Sequence, residues 1–381
     1  MHKLTFYPLG NADTCKIDLS DGQKLLFDYA HLRDNENEED LRADLEKLLR
    51  EDLEAAGRDY FDVVAFTHAD TDHIKRASEF FFLEHASKYQ GDERIKIKEL
   101  WVPAAMIIEE GLKDDARVLR SEARYRLKNG FGIRVFSRPE RLKDWFEEQG
   151  IAVEERSGLI TNAGQTVPGF NKDRDGVEFF VHSPFALRDG EELEDRNESS
   201  LILHITLICK GRETKFLLIG DSTHDALANV VNITKYHHRE ERLEWDIYDI
   251  PHHCSYLALS DEKRAKKTIP APEVKWLLDQ GSKKGVLVSS SNPIPNDYEN
   301  PQPPHKQAAS CYEDIEQGID GRFKVTMEHP TVSKPEPLVI TIDEWGAKPK
   351  LIISGGGSAT TSRPAPRAGI LNDAKLSSST G

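Results

Sequence analysis

Thr67-His68-Ala69-Asp70-Thr71-Asp72-His73 is the stretch that decides how this chain is read. Four potential cation donors, His68, Asp70, Asp72 and His73, fall within six positions. The residues before them, Asp62-Val63-Val64-Ala65-Phe66, form a short apolar run that reads as a buried strand delivering a loop at its carboxyl end. Side chains at alternating positions after such a strand project toward a common point. Imidazole nitrogen and carboxylate oxygen together suit zinc, manganese or iron. A single His-x-Asp is usually a solvated turn, but four donors followed by apolar Ile74 read as a metal loop. Asp70 lies two residues after His68, while Asp72 and His73 are adjacent, so the loop divides its donors between two neighbouring ions better than it serves one.

Working outward, residues 3–8, 14–19 and 24–28 read as short strands of a meander, with a turn at Asp21-Gly22. From 37 to 56 the period changes: Leu41, Leu45, Leu48, Leu49 and Leu53 recur at three- and four-residue steps, one face of a helix that should pack on the sheet. Helical periodicity returns at 74–89 and 104–150, with only 98–102 and 132–136 reading as strand. The span of about 75–150 is therefore expected to be a large, mostly helical insertion. Strands are expected at 177–182, 200–209, 215–220, 245–250 and 285–289, with a helix near 272–279 and a last strand pair near 323–328 and 337–342. Gly355-Gly356-Gly357-Ser358 then opens a Ser/Thr/Pro/Ala-rich tail, expected to be disordered after about 353. The expected division is a domain over 1–345 and a terminal segment over 346–381.

Three later places offer further donors. Phe216-Leu217-Leu218-Ile219-Gly220-Asp221 is an apolar strand ending in a glycine that lets a carboxylate approach closely, and one carboxylate can bridge two cations. Asp249-Ile250-Pro251-His252-His253-Cys254-Ser255 ends another strand with paired histidines, and His305 follows Pro303-Pro304. Alone, Gly220-Asp221 and His305 are more often an ordinary turn and loop, and the paired histidines are as often a surface turn as a site.

Composition sets the outer limits. A chain of 381 residues with 38% hydrophobic content can bury a sizeable core. No apolar run reaches the roughly eighteen residues of a membrane span, and the N-terminus lacks a secretory pattern, so the expectation is a cytoplasmic protein with no membrane partner. Cys15, Cys209, Cys254 and Cys311 form no CxxC pair, which argues for reduced thiols. A net charge of −15 provides no broad basic footprint and disfavours tight duplex binding, although nucleic acid as a substrate stays open.

The order of the pieces carries a resemblance. Asp28, then His68-x-Asp70-x-Asp72-His73, Asn197-Glu198-Ser199-Ser200-Leu201-Ile202, Leu218-Ile219-Gly220-Asp221, His252-His253-Cys254-Ser255 and Pro304-His305 together resemble the metallo-β-lactamase-like domain of the ComEC family of DNA-uptake competence proteins, over about residues 3–320. The resemblance implies an α+β fold, a four-layer αββα sandwich with a helical insertion, holding two divalent ions, zinc or manganese, at one sheet edge. By residue, it implies His68 and Asp70 on one ion, Asp72 and His73 on the other, and Asp221 between them. One of His252 and His253 closes a shell while its neighbour orients substrate. His305 binds metal or leaving group, and Asn197 and Ser200 lie on the substrate side. Asp72, Asp221 and His253 are the expected catalytic set.

The chain departs from the family pattern at three points. Asp70 stands where a histidine is commoner, shifting preference toward harder ions; Lys75-Arg76 replace two glycines; Cys254 replaces a glycine. The implied chemistry is hydrolysis by a two-metal-activated hydroxide, with a phosphodiester substrate and hence phosphodiesterase or nuclease activity. Lys75 and Arg76 are candidate partners of phosphate oxygens. The alternatives are a hydrolase of small esters, thioesters or lactams, and a non-catalytic metal-binding subunit that meets a protein partner through the helical insertion.

Overall fold

The opening residues fold as the expected meander: β1 (His2–Phe6), β2 (Cys15–Asp18) and β3 (Lys24–Phe27) pair antiparallel, with Lys3 opposite Asp18 and Cys15 opposite Phe27. The structure, a computed structural model, describes residues 1–137, 139–185 and 200–350. After the meander come α1 (Leu45–Ala55), β4 (Tyr60–Ala65), α2 (Thr71–Ile74), α3 (Ala77–Phe80), β5 (Lys96–Pro103), α4 (Ala105–Ile108), α5 (Asp114–Asn129), β6 (Ile133–Phe136), α6 (Glu140–Glu148) and β7 (Ile160–Thr161). The second half brings α7 (Lys172–Asp175), β8 (Val177–Ser183), β9 (Ile202–Cys209), β10 (Arg212–Leu218), α8 (His224–Tyr236), β11 (Trp245–Asp249), α9 (Pro272–Leu278), β12 (Gly281–Ser289), α10 (Lys306–Gly318) and β13 (Arg322–Val325). A small hairpin, β14 (Pro330–Thr331) and β15 (Lys334–Pro335), precedes β16 (Leu338–Asp343) and β17 (Gly346–Pro349).

These strands build two main sheets, ordered β17-β16-β1-β2-β3-β4-β5-β6-β7 and β13-β12-β11-β10-β9-β8. Alternation of side chains along each strand sorts the apolar residues into three clusters. Leu4, Phe27, Val63 and Trp101 of the first sheet meet Phe179, Ile205, Phe216 and Val288 of the second, forming a core between the sheets. Leu26, Val64 and Leu100 face the other way, onto Leu49, Phe80, Leu119 and Phe146 of the first set of helices. Leu217, Tyr248 and Leu287 pack on Val231, Leu277 and Tyr312 of α8, α9 and α10. The result is the expected α+β class in four layers, αββα.

The 75–150 stretch contributes to both layers. The expected strands at 98–102 and 132–136 are β5 and β6, which extend the parallel run from β3 through β7, and the helices between them cover that sheet's outer face. A buried ion pair pins α5 there: Arg126 Nε donates to Glu122 at 2.6 Å, and the other Glu122 oxygen meets His85 Nδ1 at 2.9 Å.

Three local differences have clear causes. The helix expected over 37–56 begins only at Leu45, because Asn37 and Asp40 capture the backbone N–H groups of Glu39 and Arg42 in turns. Asp44 then caps α1 by accepting from the Lys47 N–H. Asp44→Ala should lower stability by about 1 kcal/mol in urea unfolding. The expected terminal strand pair is not a pair: β13 lies parallel to β12 in the second sheet, while β16 pairs with β1 in the first. Residues 346–349, placed by the sequence reading in a terminal segment, form β17 on β16, across a turn that Asp343 holds by accepting from the Trp345 N–H. The tail after 353 and Asn197 lie outside the described residues. No helix among the described residues is long and apolar enough to cross a membrane.

Candidate metal centre

Strand direction gathers the donors. β3 and β4 are parallel in one sheet, β10, β11 and β12 in the other, so their carboxyl ends open on one edge. From those ends come Asp28 after β3, His68 to His73 after β4, Asp221 after β10, His252 and His253 after β11, and Ser290 after β12. Phe66 donates its N–H to Trp101 O, holding the chain in the sheet up to the residue before Thr67.

One carboxylate and one hydroxyl set the metal loop's geometry. Asp28 accepts the Thr67 N–H and the Thr67 hydroxyl, both at 2.7 Å, and lies 2.8 Å from His73 Nδ1. A carboxylate can only accept, so His73 donates from Nδ1 and turns Nε2 outward. Because Thr67 Oγ1 gives its own proton to Asp28, its lone pairs receive His68 Nδ1 at 3.1 Å, with His73 Nδ1 at 3.2 Å. His253 is set in the same sense, donating Nδ1 to the Ser290 carbonyl at 2.8 Å. In all three imidazoles Nδ1 carries a proton, leaving Nε2 for the centre.

Those Nε2 atoms meet carboxylates. His73 Nε2 is 3.4 Å from Asp221 Oδ1 and 3.7 Å from Asp13 Oδ2. His253 Nε2 is 3.5 Å from Asp221 Oδ2 and 3.2 Å from Asp72 Oδ2. His68 Nε2 is 3.6 Å from Asp70 Oδ2. Asp13, His73, Asp221 and His253 form one group whose donor atoms all lie within 4.8 Å of one another, and His68, Asp72 and His73 form an adjoining one. His73 is fully buried, and His68, Asp221 and His253 are nearly so. His68 Nε2, His73 Nε2 and Asp221 Oδ1 are buried without a hydrogen-bond partner among the described residues, an arrangement costly unless something else satisfies them. Donors of these types, convergent and otherwise unsatisfied, fit divalent cations.

Charge supports that fit. Burial pushes His68 down to about 4. For His73 and His253 burial also opposes charge, but Asp28 and Asp221 outweigh it at His73, and Asp221 and Asp72 at His253. His73 is held well above its ordinary value and His253 rises to about 10. Burial pushes Asp13 up to about 6, whereas His253 and His73 overcome burial at Asp221 and hold it well below the carboxylate range. Protons therefore sit where a cation's charge would sit, and a bound divalent ion would expel them.

The backbone here is unusual where it must be. Gly220 has φ +62°, and a Cβ on it would meet Ser200 Oγ at 3.0 Å and Thr67 Oγ1 at 3.2 Å, so only glycine brings Asp221 this close to the loop. His252, His253 and Cys254 are three successive left-handed residues, with φ of 52°, 52° and 63°. This winding sends His253 inward and leaves His252 partly exposed, its Nε2 4.0 Å from Asp221 Oδ2. Cys254 offsets its left-handed cost by burying its thiol in the cluster that holds Tyr312.

The remaining expected residues have these places. Ser200 is buried, its hydroxyl without a partner among the described residues, and the Leu201 N–H bonds Thr67 O at 3.0 Å, which puts the start of β9 behind the loop. His305 precedes α10, accepts the Tyr256 N–H on Nδ1 at 3.3 Å and stacks edge-on with Tyr256. A backbone N–H can only donate, so His305 keeps its proton on Nε2. Lys75 lines a cavity of about 330 Å³ with Ala69, Thr71, Ile74 and the Gly111–Ala116 stretch, whereas Arg76 does not.

Sequence reading missed Asp13 altogether. It sits on the β1–β2 loop as a lone acid, with no neighbouring donor to mark it, and only the fold brings it to His73. Thr67 was read as part of the loop pattern, yet it is the hydroxyl that joins Asp28 to both histidines.

Against known proteins, no family model and no curated protein matches the chain. Solved structures give distant likenesses. A protein of Parabacteroides distasonis assigned as a metal-dependent hydrolase shares 10% identity, covering 84% of this chain and 92% of its own, with a TM-score of 0.34. A diphosphatase of the PhnP family shares 9% over 85% and 87%, with a TM-score of 0.30. The metallo-β-lactamase GOB-18 of Elizabethkingia meningoseptica shares 13% over 72% and 88%, with a TM-score of 0.31. Likenesses at this level carry no argument about activity, which rests on the centre itself.

Proposed function

We propose that this chain is a metal-dependent hydrolase of the metallo-β-lactamase type, acting on a phosphodiester such as a nucleotide or single-stranded nucleic acid. The observation that carries the proposal is the set of three imidazoles whose Nδ1 hydrogen bonds leave Nε2 facing carboxylates. In this reading His68, Asp70, Asp72, His73, Asp221 and His253 hold two divalent ions. Bound there, such ions lower the pKa of water toward neutrality and neutralise the oxyanion formed in hydrolysis.

The chain's own residues supply the rest. Asp221 lies between His73 and His253 with one oxygen toward each, where a carboxylate can serve the ion that both imidazoles face. His253 supports this reading as the ligand of the histidine pair, since it is buried and tautomerically set, while the more exposed His252 faces substrate. His305, with its proton on Nε2, suits substrate or leaving group, one of the roles expected of it, better than a metal shell. Lys75, on the cavity beside the loop, offers a cation for a phosphate oxygen, against which Asp114 and Asp115 of the same lining act. The phosphodiester class follows the likeness in sequence to the ComEC branch, and zinc and manganese both suit the donors.

A second reading, hydrolysis of a small ester, thioester or lactam, is favoured by one observation: a net charge of −15 repels polyanions. Turnover of bis-p-nitrophenyl phosphate against a thioester and a lactam chromogen separates the two. Absence of turnover with zinc and with manganese, in protein that binds neither, refutes both and leaves a non-catalytic role. His305→Ala should cut kcat by about 10–100-fold, the scale of one lost hydrogen bond to a charged group, with metal content unchanged. Loss of metal in that variant would return His305 to the ligand set.

A further inference from the structure

Asp13 lies outside the donor set that the sequence marks, yet it faces the buried half of the centre. Around a tetrahedral ion with bonds of about 2.1 Å, neighbouring donors stand about 3.4 Å apart. The observed separations are 3.7 Å for Asp13 Oδ2 to His73 Nε2, 3.4 Å for His73 Nε2 to Asp221 Oδ1 and 3.5 Å for Asp221 Oδ2 to His253 Nε2. They are longer than the roughly 2.7–3.2 Å of good hydrogen bonds and match ligand edges around one ion. His73 Nε2 and Asp221 Oδ1 have no hydrogen-bond partner among the described residues, which a cluster of surface acids would not produce.

The loop carrying Asp13 is already fixed at both ends of its reach. The Asp13 N–H donates to Asp72 O at 3.1 Å. Two residues earlier, Asn11 donates Nδ2 to Pro303 O at 2.6 Å and accepts the Asn292 N–H at 2.9 Å, clasping the chain to the second half of the sandwich. A donor held in place before binding loses little entropy on binding. The adjoining position is built differently: with the lone pair of His73 given to the first ion, it has one imidazole, His68, and the side chains of Asp70 and Asp72 are about one-third exposed, at 34% and 35%.

The geometry points to two unequal cation positions, in which Asp13, His73, Asp221 and His253 bind the first and tightest ion and the position around His68, Asp70 and Asp72 is the weaker, exchangeable one. This inference rests on the metal-centre reading given above. It assigns Asp13 as a ligand and makes the outer position the one that empties first under chelation.

The test is titration of the metal-free full chain with Zn²⁺ and with Mn²⁺ by calorimetry, with bound metal counted by elemental analysis. Wild type should bind in two phases. Asp13→Asn should weaken the first phase by more than about 10-fold, a loss at least as large as that of a supporting group, while Asp70→Asn weakens the second alone. In the wild-type chain, imidazole ¹⁵N resonances of His73 and His253 should move with the first equivalent of Zn²⁺, and that of His68 with the second. This second measurement decides the matter if Asp13→Asn does not fold. An unchanged first phase in folded Asp13→Asn, or His68 responding first, overturns the inference while leaving the hydrolase reading intact. No binding of either metal overturns both.

Discussion

Asp221→Ala is expected to empty the centre, losing bound metal and turnover together while the circular dichroism stays that of the native fold. Asp221 is the carboxylate that two of the inner imidazoles face, with Oδ1 3.4 Å from His73 Nε2 and Oδ2 3.5 Å from His253 Nε2. Alanine leaves two imidazoles on opposite sides of a gap and removes the charge that made them converge. Activity should fall on the order of 10³-fold or more, the scale for groups that act as a unit. The fold should survive, because Asp221 follows β10 and the strand's apolar residues, Phe216, Leu217, Leu218 and Ile219, remain in place. Retention of two metals by the variant, measured by elemental analysis, would show that Asp221 does not join them.

Thr67→Val should weaken metal binding by about 10–100-fold without touching any proposed ligand, and Thr67→Ser should restore most of it. Valine matches threonine in shape but has no hydroxyl, so His68 loses its only Nδ1 partner among the described hydrogen bonds, and Asp28 loses one of its three donors. His68 is then free to carry its proton on either nitrogen, and the tautomer with Nε2 protonated cannot bind a cation. Because His73 keeps its 2.8 Å bond to Asp28, the loss should fall mainly on the ion held by His68. Imidazole ¹⁵N shifts of the metal-free protein would show it directly: His68 changes tautomer in Thr67→Val and His73 does not. Equal metal affinity in the valine variant would make the Thr67 hydroxyl merely structural.

The metal loop was legible because its chemistry is local. His68, Asp70, Asp72 and His73 are adjacent in the chain, after an apolar strand, and no tertiary contact is needed to see donors at short spacing. Asp221 and the His252-His253 pair were legible for a related reason: an apolar run that breaks at Gly-Asp or at paired histidines signals a strand end, and strand ends are where sites form. The same local cues failed at α1, where Asn37 and Asp40 took backbone N–H groups that a periodic leucine pattern had assigned to a helix. They failed again at the C-terminus, since nothing within 323–343 says that β13 and β16 belong to different sheets; the partner of each strand lies far off in sequence.

What the sequence by itself determined is thus the class of the fold and the kinds of atoms at its edge: two apolar sheets, helices to cover them, and imidazole and carboxylate donors at strand ends. Only the tertiary structure decided which donor faces which. It chose His253 over His252, through the left-handed run that turns one ring inward. It set the proton positions of His68, His73, His253 and His305, because each depends on a partner elsewhere in the chain. It also brought Asp13 from the β1–β2 loop to His73. The physical reason is common to all three: a residue's type is written in the chain, but its direction, its tautomer and its neighbours are fixed by hydrogen bonds and packing across two sheets that meet only on folding.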